Sequence, residues 1–156
     1  MQLSNIYLNN FKNHLESNFD LIDGINCFVG KNGIGKTNVL DAIHYLCLTK
    51  SYYNSSDVLN INFDNDYFTL KGNFRKEEDD YELICSLSKN SNKIIKINGK
   101  RYKRFSDHIG KFPVVIISPT DSNLIIEGPD VRRRYLNSSI SQSVSYTHLT
   151  LPTIRL

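Results

Sequence analysis

The sequence predicts an α/β domain, and three observations carry that expectation. Short apolar runs, several alternating with polar residues, recur along the chain. One segment, Lys36 to about Leu48, switches to a helical period, and a glycine-rich turn at residues 30–37 leads into it. With 156 residues the chain can build one domain with a core and is too short for two ordinary ones. Hydrophobic content of 40% and charged content of 22% are those of a folded globule rather than a disordered chain.

Taken in order, Gln2 to Phe11 alternates Leu3, Ile6, Leu8 and Phe11 with polar residues, which predicts a half-buried strand. Phe19 to Leu21 reads as a second short strand, and Asp23-Gly24 as the turn to a buried strand over Ile25–Val29, making an antiparallel hairpin. In the helix, Val39, Ile43, Leu46 and Cys47 fall on one face. Tyr67 to Phe74, Tyr81 to Leu87 and Lys93 to Ile97 predict an antiparallel meander, with Asn98-Gly99 as a tight turn after it. A short helix is expected over Arg104–Ile109. Pro113 to Ser118 (PVVIIS) reads as a centrally buried strand, followed by a helix start with Ser118 as cap and Pro119 at its first position. Gly128-Pro129-Asp130 opens another helix.

Gly30-Lys31-Asn32-Gly33-Ile34-Gly35-Lys36-Thr37 fits GxxxxGK[ST] at every position, between an apolar run and an amphipathic helix. The chemistry needs this pattern. Glycines let the backbone curl so that successive N–H groups face phosphate oxygens. Lys36 supplies a compact positive charge to the outer phosphates, and Thr37 a hydroxyl for Mg²⁺. A nucleoside triphosphate with magnesium is therefore the expected ligand. A GTPase is excluded: Asp107-His108-Ile109-Gly110 spells DxxG but precedes the Pro113–Ser118 run, and Asn92-Lys93 is followed by Ile94-Ile95, so NKxD is absent.

Charge and cysteine usage bound the remaining classes. The net charge of +3 is compatible with a polyanionic partner without requiring one. Lys93, Lys96, Lys100, Arg101, Lys103 and Arg104 crowd one hairpin region around Tyr102, a candidate phosphate-backbone site for DNA; the alternative is a solvated edge whose lysines discourage strand pairing. Arg132-Arg133-Arg134 point in different directions on a helix, and Glu77-Glu78-Asp79-Asp80 reads as a solvated turn. Cys27, Cys47 and Cys85 each sit in an apolar run, which predicts buried, reduced thiols and a cytoplasmic location. No segment approaches the roughly 18 apolar residues of a membrane helix, so no membrane partner is expected. His14, His44, His108 and His148 lack metal-ligand spacing and receive no catalytic role.

GKNGIGKTNVLDAIHYLCLTKSYY resembles the opening of the RecF family of bacterial recombination mediators. LSNIYLNNFKNH, KINGKRYKRFSDHIGKFPVVIISPTDSNLIIEGP and RRRYLNSSISQ are similar to further stretches of that family, in register over residues 1–142. The resemblance implies a P-loop NTPase fold: an ABC-ATPase-like lobe, related to SMC heads, with a mixed or antiparallel sheet around the P-loop helix. It implies ATP and Mg²⁺ as cofactors, and a role in recombinational repair, replication restart and the SOS response to DNA damage. DNA, single-stranded, gapped or double-stranded, would be one partner, RecR and RecO others, and an ATP-dependent homodimer the working form of the full-length protein. Gly30 through Thr37 would hold the nucleotide. Lys12 stands where the family more often has arginine near the phosphates, keeping the charge and losing the bidentate fork. Asp41 reads as a helix-surface residue. Asp121 lies near the Q-loop position of ABC heads, and as an N-terminal helix carboxylate it needs no metal.

A Walker B segment, an LSGGQ-like signature and a switch histidine are not found in the sequence. The family is a weak DNA-dependent ATPase; this chain, read as an incomplete N-terminal nucleotide-binding lobe over 1–142, is expected not to hydrolyse ATP by itself. Residues 143–156, SVSYTHLTLPTIRL, depart from the family pattern and are expected to be a non-native or divergent tail. Two other classes stay open: a non-ABC P-loop phosphotransferase, and a binding-only nucleotide module.

Overall fold

The computed structural model describes residues 1–122 and 128–143, without the side chains at 120, 131, 134, 138, 141 and 143. Six strands form one sheet, in the order β2-β1-β3-β4-β5-β6, with every neighbouring pair antiparallel. They are β1 (Gln2–Phe11), β2 (His14–Asp20), β3 (Tyr67–Lys76), β4 (Asp79–Ser88), β5 (Ser91–Ile97) and β6 (Lys100–Arg101). Helix α1 (Lys36–Leu48) lies on one face of the sheet, and α2 (Pro129–Ser143) follows after 3₁₀ turns at Asp57–Asn60, Phe105–Asp107 and Pro119–Ser122.

The alternation read in Gln2–Phe11 is the cause of this layering. Ile6, Leu8 and Phe11 point to the helix side and are fully buried. They meet Phe68 and Leu70 of β3, Leu83 and Cys85 of β4 and Ile95 of β5. From above, α1 contributes Val39, Ala42, Tyr45, Leu46 and Cys47. Phe11, Tyr45 and Phe68 form an edge-to-face triad with ring centroids 5.3–6.1 Å apart. Gly72 lets the helix approach, since a Cβ there would lie 2.9 Å from Leu46 and 3.0 Å from Phe74. Asn98 and Gly99 both take positive φ (47° and 75°), the two-residue turn that joins β5 to β6. The acidic stretch 77–80 forms the exposed β3–β4 corner.

Two predicted strands are not strands. The second strand begins earlier than expected, at His14, and pairs with β1, so the first hairpin turns at Lys12-Asn13 rather than Asp23-Gly24. With that partner taken, 22–30 has no ladder among the described residues. Ile25 and Val29 are 87% and 89% exposed, and Cys27 is exposed with them, contrary to the expected buried thiol. Phe28 is anchored, edge-on to Phe19 at 5.5 Å. The run 113–118 likewise has no strand neighbour among the described residues, and Val115 and Ile117 are 73% and 83% exposed. There the side-chain amide of Gln142 takes a neighbouring strand's place: it accepts from the Val114 N–H at 2.9 Å and donates to the Val114 carbonyl at 3.1 Å. Both segments carry strand-forming side chains, but a ladder also needs a second backbone in reach.

The helix expected at Arg104–Ile109 is a single 3₁₀ turn, and that after Ser118 is another. The predicted tail from Ser143, whose first residue ends α2, lies otherwise outside the described residues.

Candidate nucleotide-binding site

The 30–37 loop leaves the exposed segment and feeds α1. Gly30, Gly33 and Gly35 all have positive φ (155°, 82° and 106°), and Gly35 is the N-cap of the helix. The consequence is a set of unspent donors. The N–H groups of Gly33, Gly35, Lys36 and Thr37 have no acceptor among the described residues. The Lys36 ammonium reaches back over the loop and donates to the carbonyls of Gly30 and Lys31, each at 2.8 Å. An ammonium held only by carbonyls, above converging N–H groups at a helix N-terminus, suits an anion with several oxygens. The donor set therefore fits a triphosphate, and the Thr37 hydroxyl on the first turn suits its magnesium ion.

What fixes the loop was not read from the sequence. The β1–β2 turn lies against it. Asn13 donates to the Gly33 carbonyl at 3.0 Å and accepts from the Asn38 amide at 2.7 Å, while His14 Nε2 lies 3.1 Å from the Gly35 carbonyl. A Cβ on Gly35 would come within 2.4 Å of His14 Nε2 and 2.6 Å of Asn13 Oδ1. Gly35 thus serves close packing as much as backbone curvature. Asn13 and His14 position the loop; the sequence signalled them by their place in the LSNIYLNNFKNH stretch, while the hairpin turn beside them was put elsewhere.

Asp41 is not a surface residue. It is fully buried under α1 and accepts three hydrogen bonds: from Lys12 Nζ at 2.5 Å, the Ser51 hydroxyl at 2.6 Å and the Tyr52 N–H at 2.7 Å. A buried carboxylate is stable only with such partners, and here all three arrive from neighbouring chain turns. Lys12, with its backbone at a φ of 52°, spends its charge on this carboxylate beside the ring of Tyr53, 5.4 Å away. The Tyr52 hydroxyl donates to Asp121. That bond and the Ser118 N–H at 2.7 Å hold the Asp121 carboxyl below its usual range. Asp121 is thus the carboxylate of a capped helical turn and also a brace to the segment after α1.

The basic cluster divides in two. Lys93 leaves it for the interior: its ammonium contacts Asp57 and the Thr49 carbonyl, each at 2.6 Å, and lies 5.2 Å from the Tyr45 ring. Lys96, Lys100, Arg101, Lys103 and Arg104 are exposed and have no carboxylate partner among the described residues, whereas Lys71, Arg75, Lys89 and Arg133 all do. Lys96 and Arg101 are moreover directly opposite in the β5–β6 ladder. Like charges so placed repel one another unless an anion lies between them.

Comparison with known proteins matches this arrangement. A family model described as AAA ATPase domain covers residues 1–148. A curated relative from Flavobacterium johnsoniae, named DNA replication and repair protein RecF, is 50% identical over 95% of this chain and 42% of its own length. A solved structure of the recombination mediator RecF with ATP superposes with a TM-score of 0.86 at 34% identity, over 93% of this chain and 40% of that one. An SMC ATPase structure at 20% identity shares the fold, with a TM-score of 0.70. The chain spans about two-fifths of the length of the curated relatives it matches. The expected resemblance to RecF and the P-loop NTPase fold are both borne out.

Proposed function

The chain belongs to the AAA ATPase domain family, and from that premise we propose that it is the ATP-binding lobe of a RecF-type protein of DNA repair and replication. The observation that carries the reading is the 30–37 loop, in which Lys36 and the free N–H groups of Gly33, Gly35, Lys36 and Thr37 converge at one helix end. In this reading Lys31, Asn32 and Ile34 shape the loop around the phosphates, and Asn13 and His14 keep it open. Bound Mg²⁺, held through Thr37, would neutralise phosphate charge. Lys12 remains a cation beside the loop whose charge is shared with Asp41.

The whole protein would dimerise around ATP and engage gapped or single-stranded DNA, with RecR and RecO as partners in recombinase loading and the SOS response. Lys96, Lys100, Arg101, Lys103 and Arg104 are the DNA-facing cations of this lobe. Its setting is the cytoplasm; among the described residues, no helix is long and apolar enough to cross a membrane. Calorimetric titration with Mg·ATP tests the nucleotide reading. Lys36→Ala should abolish the binding heat while the thermal melt stays in place; undiminished affinity would refute the role given to Lys36.

A further inference from the structure

Lys12, Asn13 and His14 are consecutive at the β1–β2 turn, and their side chains have different partners. Asn13 and His14 meet the phosphate loop at the Gly33 and Gly35 carbonyls, 3.0 and 3.1 Å away. Lys12 sends its ammonium to Asp41, with side chains only 12% and 0% exposed. A relaxed chain would not hold this turn. Asn10 and Lys12 take φ of 53° and 52°, a left-handed conformation that residues with a Cβ disfavour. Outside contacts therefore have to keep it.

Two sets of contacts do so, and they refer the turn to different parts of the molecule. The first ties its backbone to the connection before β3. The Lys12 N–H donates to the Asn60 carbonyl at 2.8 Å, the Asn62 N–H to the Asn10 carbonyl at 2.8 Å and the Asn62 amide to the Lys12 carbonyl at 2.6 Å. These bonds fix the turn relative to the sheet. The second set is the Lys12–Asp41 pair, which fixes it relative to the helix that begins in the phosphate loop. Asp41 stands four residues after Thr37, one helical turn or about 6 Å further along α1. The pair thus closes a ring: from the loop into α1, through Asp41 to Lys12, and through Asn13 and His14 back to the loop. Asn38 closes a smaller ring by donating to Asn13 at 2.7 Å, but that contact is neutral and exposed. A buried charge-assisted bond is the stiffer link.

We propose that Asp41 is a positioning residue for the nucleotide: by holding Lys12 it keeps Asn13 and His14 where they pin Gly33 and Gly35 in the phosphate-receptive form. The proposal rests on the reading of the loop as a triphosphate site. It adds a determinant of affinity that is itself buried and negatively charged, and so acts only through other residues.

Calorimetric titration of the 156-residue chain with Mg·ATP, at a temperature where circular dichroism shows each variant folded, tests this. Asp41→Asn should weaken binding about tenfold, whereas Leu8→Ala, a core truncation away from the loop, should leave affinity within about twofold. Asn13→Ala should weaken binding about as much as Asp41→Asn. If both act through the turn, the two together should also cost about tenfold rather than the roughly hundredfold of independent effects. The amide ¹H–¹⁵N shifts of Gly33 and Gly35 without nucleotide should move in Asp41→Asn and stay in Leu8→Ala, a difference that lost stability alone would not produce. Unchanged or tighter binding by Asp41→Asn would mean that Asn60 and Asn62 hold the turn unaided, and the proposal falls. Additive losses would overturn the route through Asn13. Lys12→Met combined with Asp41→Asn removes both charges, and affinity should stay low; recovery to the wild-type value would leave charge balance as the whole effect and sink the tether. All three failures leave the nucleotide reading standing, whereas a wild type that does not bind Mg·ATP overturns both.

Discussion

Two parts of this molecule have similar side chains and opposite fates. β1 and β3 to β5 bury their apolar faces under α1, with Ile6, Leu8, Phe68, Leu70 and Leu83 entirely out of solvent. The segments 25–29 and 113–118 are at least as apolar, yet Ile25, Val29, Val115 and Ile117 lie open. The difference is neighbours, since each buried strand is hydrogen-bonded on one or both sides within the sheet and has a helix above it. Among the described residues, the open segments have at most one side-chain amide, that of Gln142, in place of a strand. Apolar sequence sets the tendency to be a strand; pairing decides whether it becomes one.

The sharpest way to break the buried half is at Asp41, the one buried carboxylate among the described residues. Asp41→Ala leaves Lys12 uncompensated and releases the Ser51–Tyr52 backbone, which should cost about 4 kcal/mol in chemical denaturation. Asp41→Asn, which keeps the shape but loses the charge pairing, should cost less. The comparison itself is tested by a matched pair of truncations. Leu8→Ala should lower stability by about 3 kcal/mol, whereas Ile117→Ala should change it by less than about 0.5 kcal/mol. Equal losses would mean that 113–118 is packed in solution.

A smaller effect comes from protons. His108 is fully buried, with Nε2 2.7 Å from the Leu46 carbonyl, its ring stacked on Phe112 and its Nδ1 without a partner among the described residues. Burial lowers its pKa, with nearby Lys111 adding to the shift, and burial lowers that of His44 too. The folded state thus disfavours the protonated rings. The stability this contributes is present above the unfolded pKa near 6.5 and is lost as pH falls below it. The unfolding free energy from chemical denaturation should therefore decline on acidification from about pH 7 to 5.5, with a slope of up to about 1.4 kcal/mol per pH unit for each histidine. His108→Gln should flatten the decline, and an unchanged slope would acquit the ring. The buried thiols of Cys47 and Cys85, each pushed up to about 12 by desolvation, should resist alkylation at neutral pH, while exposed Cys27 should react.

Much of this was legible in the sequence for identifiable reasons. The meander over 67–97, the Asn98-Gly99 turn and the 30–37 loop announce themselves through alternation, turn chemistry and a spaced glycine pattern, all of them local properties. What was missed depends on contacts distant in sequence. Asp41 looked exposed because a helix wheel cannot show Lys12 arriving from 29 residues away. Lys93 looked like its neighbours because nothing local reveals Asp57 and Thr49 beneath it. Asn13 and His14 escaped because the hairpin was placed one strand too late, at Asp23-Gly24.

The central claim is that the Gly30–Thr37 loop grips a triphosphate through its own backbone. Amide hydrogen exchange, followed residue by residue with and without saturating Mg·ATP, measures those donors directly. Protection should rise at Gly33, Gly35, Lys36 and Thr37, which have no other acceptor among the described residues, and stay low across 25–29 and 115–117. Unaltered exchange at those four amides with ATP bound would contradict the account.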